Sequence, residues 1–188
     1  MPGMAAALID SAGIGSVVFG AYWSGTASAG TQVLRAGVRQ PVGTPAGLDA
    51  AYANLADEVA RLIGTGRRVH LILPPPSDRR FDPQAKVLRG LTGVRIDPEG
   101  LREVPVAALQ AVTEDARRRL LAIAVQTGAG VLDPYPDICG AGPDCSPFFE
   151  GRVPKFVDDK HLSARFAAGQ VRFLDAILTR PGGSAPGR

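Results

Sequence analysis

The 188-residue chain predicts an α/β domain: a short parallel sheet with helices on both faces, a three-layer α/β/α sandwich. Three observations predict it. Short apolar, β-branched runs recur at residues 16–23, 69–73 and 129–132. Longer stretches with apolar residues at helical spacing follow each of them. Gly and Pro clusters, such as Gly64-Thr65-Gly66 and Pro74-Pro75-Pro76, close the elements. The order is strand, helix, strand, helix, strand, helix. Sheets of this kind hold their sites beyond the carboxyl ends of the strands. One domain is expected over 1–180, with a frayed Pro/Gly/Ser-rich tail at 181–188.

Each element has its own signal. Residues 3–12 are Ala-rich and read as helix. Residues 16–23, Ser-Val-Val-Phe-Gly-Ala-Tyr-Trp, read as a buried parallel strand. Residues 24–47 are rich in Gly, Ser, Thr and Pro and read as one long loop. Leu48, Tyr52, Leu55, Val59 and Leu62 recur at spacings of three and four, which predicts a helix over 48–63. The second strand is 69–73. His70 lies inside it and reads as a packed or partly exposed strand residue. Residues 77–100 are polar and read as irregular. The longest helical pattern is 104–126, and the third strand, 129–132, runs into Asp133-Pro134. A final helix is expected to about residue 178, from the spacing of Phe166, Ala167, Val171, Phe173, Leu174 and Ile177. Ser163 is its expected N-cap.

Composition narrows the function classes. Hydrophobic residues make up 45% and charged residues 21%, as in ordinary globular domains. The net charge of +3 is too balanced for a nucleic-acid surface. The basic clusters Arg67-Arg68 and Arg117-Arg118-Arg119 carry no interleaved aromatics. No apolar run reaches the roughly 18 to 20 residues of a membrane span. The amino terminus lacks the basic region of a signal peptide, and Asp10 interrupts its apolar stretch.

Two features point to chemistry. Cys139 and Cys145 lie in Cys-Gly-Ala-Gly-Pro-Asp-Cys, a loop able to bring the sulfurs together. A zinc site would need further ligands, and the chain has only His70 and His161 to offer, so a disulfide is the better reading. A disulfide implies an oxidising compartment. The second feature is Asp158-Asp159-Lys160-His161. An aspartate three residues before a histidine can fold back and hold the imidazole in one tautomer, as a base-orienting partner must. Spacing alone leaves open a loop histidine beside a solvated acid.

These residues together resemble the SGNH-type esterase/acyltransferase domain, in the version fused to acyltransferase-3 membrane proteins that O-acylate bacterial surface polysaccharides. The resemblance runs from about Gly15 to Leu178. Its pieces are residues 17–23, Val69-His70-Leu71-Ile72-Leu73-Pro74, Phe81-Asp82-Pro83 with Arg89, residues 128–134, and the cysteine pair. Asp-Asp-Lys-His-Leu-Ser at 158–163 is the most specific piece. The resemblance implies a flavodoxin-like α/β/α fold. It also implies a serine nucleophile, His161 as base and Asp158 as its orienter, with no metal or organic cofactor. Asp159, one residue closer, departs from the family spacing.

The chain departs from the family in other ways. The family serine sits in a Gly-Asp-Ser block, which this sequence lacks. Asp10-Ser11 imitates two of its letters, but Ser11 lies only five residues before residue 16, where the family has a long connection. Ser24, next to Trp23, is a second candidate, and Trp23 with Ser24 are candidate substrate contacts. The family's glycine and asparagine oxyanion donors have no assigned counterpart. Phe166 stands where a glycine often follows His-Leu-Ser.

By resemblance, the partners are a carbohydrate acceptor, an acyl donor and a membrane acyltransferase-3 domain. The expected location is the periplasm or the extracytoplasmic face of the inner membrane. The missing block implies a domain incomplete at its amino terminus, a piece of a longer fusion. A catalytically inactive glycan- or partner-binding remnant is the alternative.

Overall fold

The computed structural model describes residues 8–9, 11–23, 30–90, 93–97 and 99–178. In chain order it has β1 (Ser16–Phe19), β2 (Gln32–Arg35), β3 (Val38–Pro41), α1 (Pro45–Gly64) and β4 (Arg68–Ile72). Two 3-10 turns follow, Arg79–Phe81 and Gln84–Lys86, then β5 (Val87–Gly90) and β6 (Gly93–Ile96). A third 3-10 turn, Glu99–Leu101, leads to β7 (Val104–Pro105), α2 (Val106–Thr127), β8 (Gly130–Leu132) and α3 (Tyr135–Cys139). The chain continues through β9 (Asp144–Cys145), β10 (Phe148–Phe149), β11 (Val153–Pro154), α4 (Ala164–Gln170) and α5 (Asp175–Leu178). The described residues fall into two compact units. One draws on Met1–Pro74 and Asp115–Leu132, the other on Pro75–Glu114 and Asp133–Arg188.

The first unit is built on the parallel sheet β1-β4-β8, with Val17 beside Val69 and Leu71 beside Val131. The expected α/β class and its parallel strands are present. Val69, Leu71 and Leu73 alternate along the chain and so point the same way. They share one core with Tyr52, Val59 and Leu62 of α1 and Leu120, Ile123 and Ala124 of α2. Helix α1 starts where the sequence permits it. Thr44 is extended, its Oγ1 accepts the Gly47 N–H at 3.1 Å, and Pro45 opens the first turn. The helix stops at Thr65-Gly66, where Gly66 has φ of 82°. Gly130 is required by packing, because a Cβ there would lie 2.6 Å from the His70 ring.

Two expectations for this unit change. Strand β1 ends at Phe19, so Trp23 lies in a turn beyond it. The stretch read as one loop over 24–47 contains the antiparallel hairpin β2–β3. Ala36 and Gly37 at its tip both have positive φ, 49° and 80°, as a type I′ turn requires. Arg35 pins the hairpin to α1 by donating to Asn54 Oδ1 at 2.8 Å and Asp57 Oδ2 at 2.7 Å. Most of the Ala-rich stretch 3–12 lies outside the described residues, though Leu8 and Ile9 are helical.

The second unit packs around Phe81, Val104, Leu109, Tyr135, Ile138, Cys145, Phe156 and Phe166. Cys139 and Cys145 form a disulfide with their Cα atoms 4.4 Å apart, as the sequence led us to expect. Three expectations change here. Residues 77–100 are not irregular throughout: they hold 3-10 turns and the hairpin β5–β6. Val104 and Pro105 pair with β9 instead of opening the long helix. The final helix breaks after Gln170, because the N–H groups of Arg172 and Phe173 donate to Asp137 Oδ2 at 2.5 and 2.6 Å and leave the helical path.

Candidate active site

The second unit places Asp158 and His161 in a closed loop. Phe156 and Leu162 form a β-bridge at its base. Above it the Val157 N–H donates to the His161 carbonyl at 2.8 Å. Ser163 then caps α4, its Oγ accepting the Phe166 N–H at 3.3 Å. The five residues 157–161 therefore have little freedom, although they lie in no helix or strand.

Asp158 organises the loop from within. Its Oδ1 accepts the N–H groups of Lys160 at 2.9 Å and His161 at 2.7 Å. Its Oδ2 lies 2.6 Å from His161 Nδ1. The ring bond is the largest of the effects that hold the Asp158 carboxyl well below the usual carboxylate range, with the two backbone N–H groups next. An ionised carboxylate can only accept, so this contact selects the tautomer with its proton on Nδ1. That tautomer leaves the Nε2 lone pair as a proton acceptor. The His161 side chain is 67% exposed, so Nε2 is open to approach. Asp159 makes a longer contact, 3.6 Å, to Lys160.

Two further anchors support the loop from its own unit. Phe156 stacks on Phe81 of the first 3-10 turn. In that same turn Asp78 donates its N–H to the Asp159 carbonyl at 3.0 Å. Asp78 is itself clamped: its carboxylate takes Nε and Nη2 of Arg80, both at 2.8 Å, and this guanidinium holds its pKa down. Below the turn, the buried Lys86 ammonium donates to the carbonyls of Gly100, at 2.6 Å, and Arg80. A cleft of about 500 Å³ opens among Arg79, Arg80, Arg102, Asp97 and Glu103. Sequence reasoning passed over Asp78, Phe81 as a packing partner, Lys86 and Lys155. The one local hint was a lysine set between apolar neighbours, as in Val153-Pro154-Lys155-Phe156-Val157.

The other candidates lie in the first unit. Trp23 Nε1 donates to the Ile72 carbonyl at 2.9 Å, and its ring stacks on Tyr52 with centroids 6.3 Å apart. Together with Phe19 and Leu48 they line an apolar groove of about 240 Å³. Ser11 is exposed, and its Oγ donates to the Leu8 carbonyl at 3.3 Å. Ser24 lies outside the described residues. His70 is a half-buried strand residue whose pKa is lowered by burial and then by Arg68.

A histidine held by an aspartate is how the base is oriented in serine-type acyl hydrolases and acyltransferases. The sequence model of the family described as "SGNH domain (fused to AT3 domains)" matches residues 4–172, nearly the whole chain. The chain belongs to this family and is an SGNH-type acyltransferase or hydrolase module. The family is one found fused to acyltransferase-3 domains. Among the described residues, no helix is long and apolar enough to cross a membrane. No curated protein and no solved structure matches the chain.

Proposed function

We propose that the chain serves O-acyl transfer to, or deacylation of, a cell-surface carbohydrate, with His161 as general base and Asp158 as its orienter. The observation that carries the reading is the 2.6 Å contact between Asp158 Oδ2 and His161 Nδ1 in a member of this family. His161 Nε2 takes the proton of a serine hydroxyl as its oxygen bonds to the acyl carbon. The tetrahedral intermediate collapses to an acyl-serine as the donor's alcohol leaves with that proton. A sugar hydroxyl, or water, then attacks the acyl-serine by the same route in reverse. Asp158 stays ionised and stabilises the imidazolium in each half. The groove beside Trp23, with Ser24 next in the chain, is suited to an acyl chain or a sugar face, and the charged side chains of Arg79, Arg102 and Glu103 around the cleft to sugar hydroxyls. The disulfide supports an extracytoplasmic location, where a membrane acyltransferase-3 domain is the proposed partner.

A second reading has one observation in its favour. The 188 residues contain no Gly-Asp-Ser block. A glycan- or partner-binding remnant needs no nucleophile, and the partly buried Trp23 ring is a surface on which a sugar can stack. Turnover of an activated acetyl ester by the chain joined to a Gly-Asp-Ser segment separates the two. Hydrolysis abolished by His161→Ala and by Asp158→Asn supports ester chemistry. Glycan binding without turnover in any variant supports the remnant.

A further inference from the structure

We propose that Lys155 is a positioning residue for the Asp158–His161 pair, with the Ile138 carbonyl, next to the disulfide, as its anchor. The proposal rests on the reading of His161 as a base. Lys155 is only 7% exposed. A buried ammonium persists where hydrogen bonds hold it, and an apolar side chain would fill the same space without that cost. Here Nζ donates to the Ile138 carbonyl at 2.6 Å and lies 5.5 Å from the centre of the Phe166 ring. Ile138 is in α3, immediately before Cys139, whose sulfur is tied to the fully buried Cys145. The carbonyl at the end of this short helix has no helical partner to lose, and the ammonium supplies one.

The backbone of the same lysine closes the histidine loop. The Lys155 N–H donates to Pro147 at 2.9 Å, and its carbonyl accepts the Ser163 N–H at 2.7 Å. Both ends of the segment that carries Asp158 and His161 therefore meet at one residue. The His161 ring is mostly exposed, so packing does little to hold it in place. Its direction comes from the loop backbone and from Asp158. Lys155 thus transmits the rigidity of the disulfide-bonded helix to an exposed ring, and a leucine or methionine in its place would not.

The test reads the tautomer of His161 by long-range ¹⁵N–¹H correlation on the full chain, at a pH where both rings are neutral. His70 and His161 are the two histidines of the chain, so the spectrum holds two rings. Wild-type His161 is expected as the Nδ1–H form, and Asp158→Ala, which removes that acceptor, assigns the signal. Lys155→Met is expected to shift the tautomer ratio of His161 away from Nδ1–H by roughly tenfold, the worth of one charge-assisted hydrogen bond, with His70 unchanged. Lys155→Gln keeps an N–H donor for Ile138 and is expected to lie between wild type and Lys155→Met. If Lys155→Met does not fold, Cys139→Ala/Cys145→Ala releases the same anchor and is expected to shift His161 alike. An unchanged His161 in a folded variant of either kind overturns the proposal. So does a shift shared by His70, or equal behaviour of the Gln and Met variants. The readout needs no turnover: a Lys155-dependent tautomer in a chain that stays inactive even when joined to a Gly-Asp-Ser segment would sink the ester chemistry and leave the positioning role standing.

Discussion

Phe156 lies flat on Phe81, with ring centroids 4.3 Å apart and planes 4° from parallel. Both rings are fully buried, at 1% and 0% exposure. Phe81 sits in the 3-10 turn that begins at Arg79, and Phe156 is the residue at which the histidine loop starts. The stack therefore joins two segments 75 positions apart in sequence, at the foot of the candidate base. Its consequence is testable as stability. Phe81→Ala and Phe156→Ala should each cost about 3–5 kcal/mol, the usual loss for a buried phenylalanine. The double variant should cost less than the sum of the two, because the second removal enlarges an existing cavity. Urea unfolding of the four proteins gives the cycle. Strict additivity would show that the rings do not act as a pair.

The disulfide closes a short loop, at a sequence separation of 6 between Cys139 and Cys145. In the chain-entropy account, a loop of this size stabilises the folded state by about 2 kcal/mol. The cost of breaking it should exceed that figure, since Cys145 is buried in the core of the second unit. Urea midpoints with and without a reductant measure the difference. Alkylation without reductant, read by mass, is expected to leave both sulfurs unmodified. Two free thiols in protein made under oxidising conditions would remove the bond from the account of the site.

Asp158 makes stability depend on acid. Its pKa is lowered in the folded state, so folding favours its ionised form. The contribution is fully present above the unfolded value, near 3.8, and is lost as the pH falls through and below it. Asp78, lowered mainly by Arg80, has the same sign and shares that window. Asp158→Asn should therefore melt below wild type at neutral pH, and the gap should narrow below about pH 4. Parallel melting curves from pH 7 to pH 3 would show that the carboxylate does nothing for the fold.

Part of this site was legible in the sequence because its geometry is local. The carboxylate and imidazole of Asp158 and His161 are three residues apart, so a single turn brings them together. The Ser163 cap and the helix at Leu48–Leu62 spacing were readable for the same reason. The hairpin at Ala36-Gly37 was not, because composition there suggests a loop and the turn places a non-glycine residue at positive φ. The break in the last helix was also hidden. Its cause is Asp137, which captures two N–H groups 35 and 36 residues further on. Lys155 leaves only a charge among apolar neighbours, since what makes it notable is a carbonyl 17 residues earlier. Contacts that depend on long separations have no local signature, and the nearest substitute is a charged residue among apolar ones.

The last prediction concerns the nucleophile. Family members place it in a Gly-Asp-Ser block, and no such block exists in these 188 residues. A serine hydrolase that lacks one member of its triad keeps only binding and oxyanion stabilisation, orders of magnitude below the intact enzyme. The chain on its own should therefore turn over an activated acetyl ester at most slightly above the rate of His161→Ala. A fluorophosphonate probe should label no serine, because trapping needs a hydroxyl whose proton a base can take. Ser11 Oγ is engaged with the Leu8 carbonyl, which gives it an acceptor but not a base. Peptide mapping after labelling decides the matter. Adducts on Ser11 or Ser24 that vanish in His161→Ala would identify the nucleophile within this chain and refute the prediction. Ester turnover equal in wild type and His161→Ala, at a rate above buffer, would instead remove His161 from the chemistry altogether.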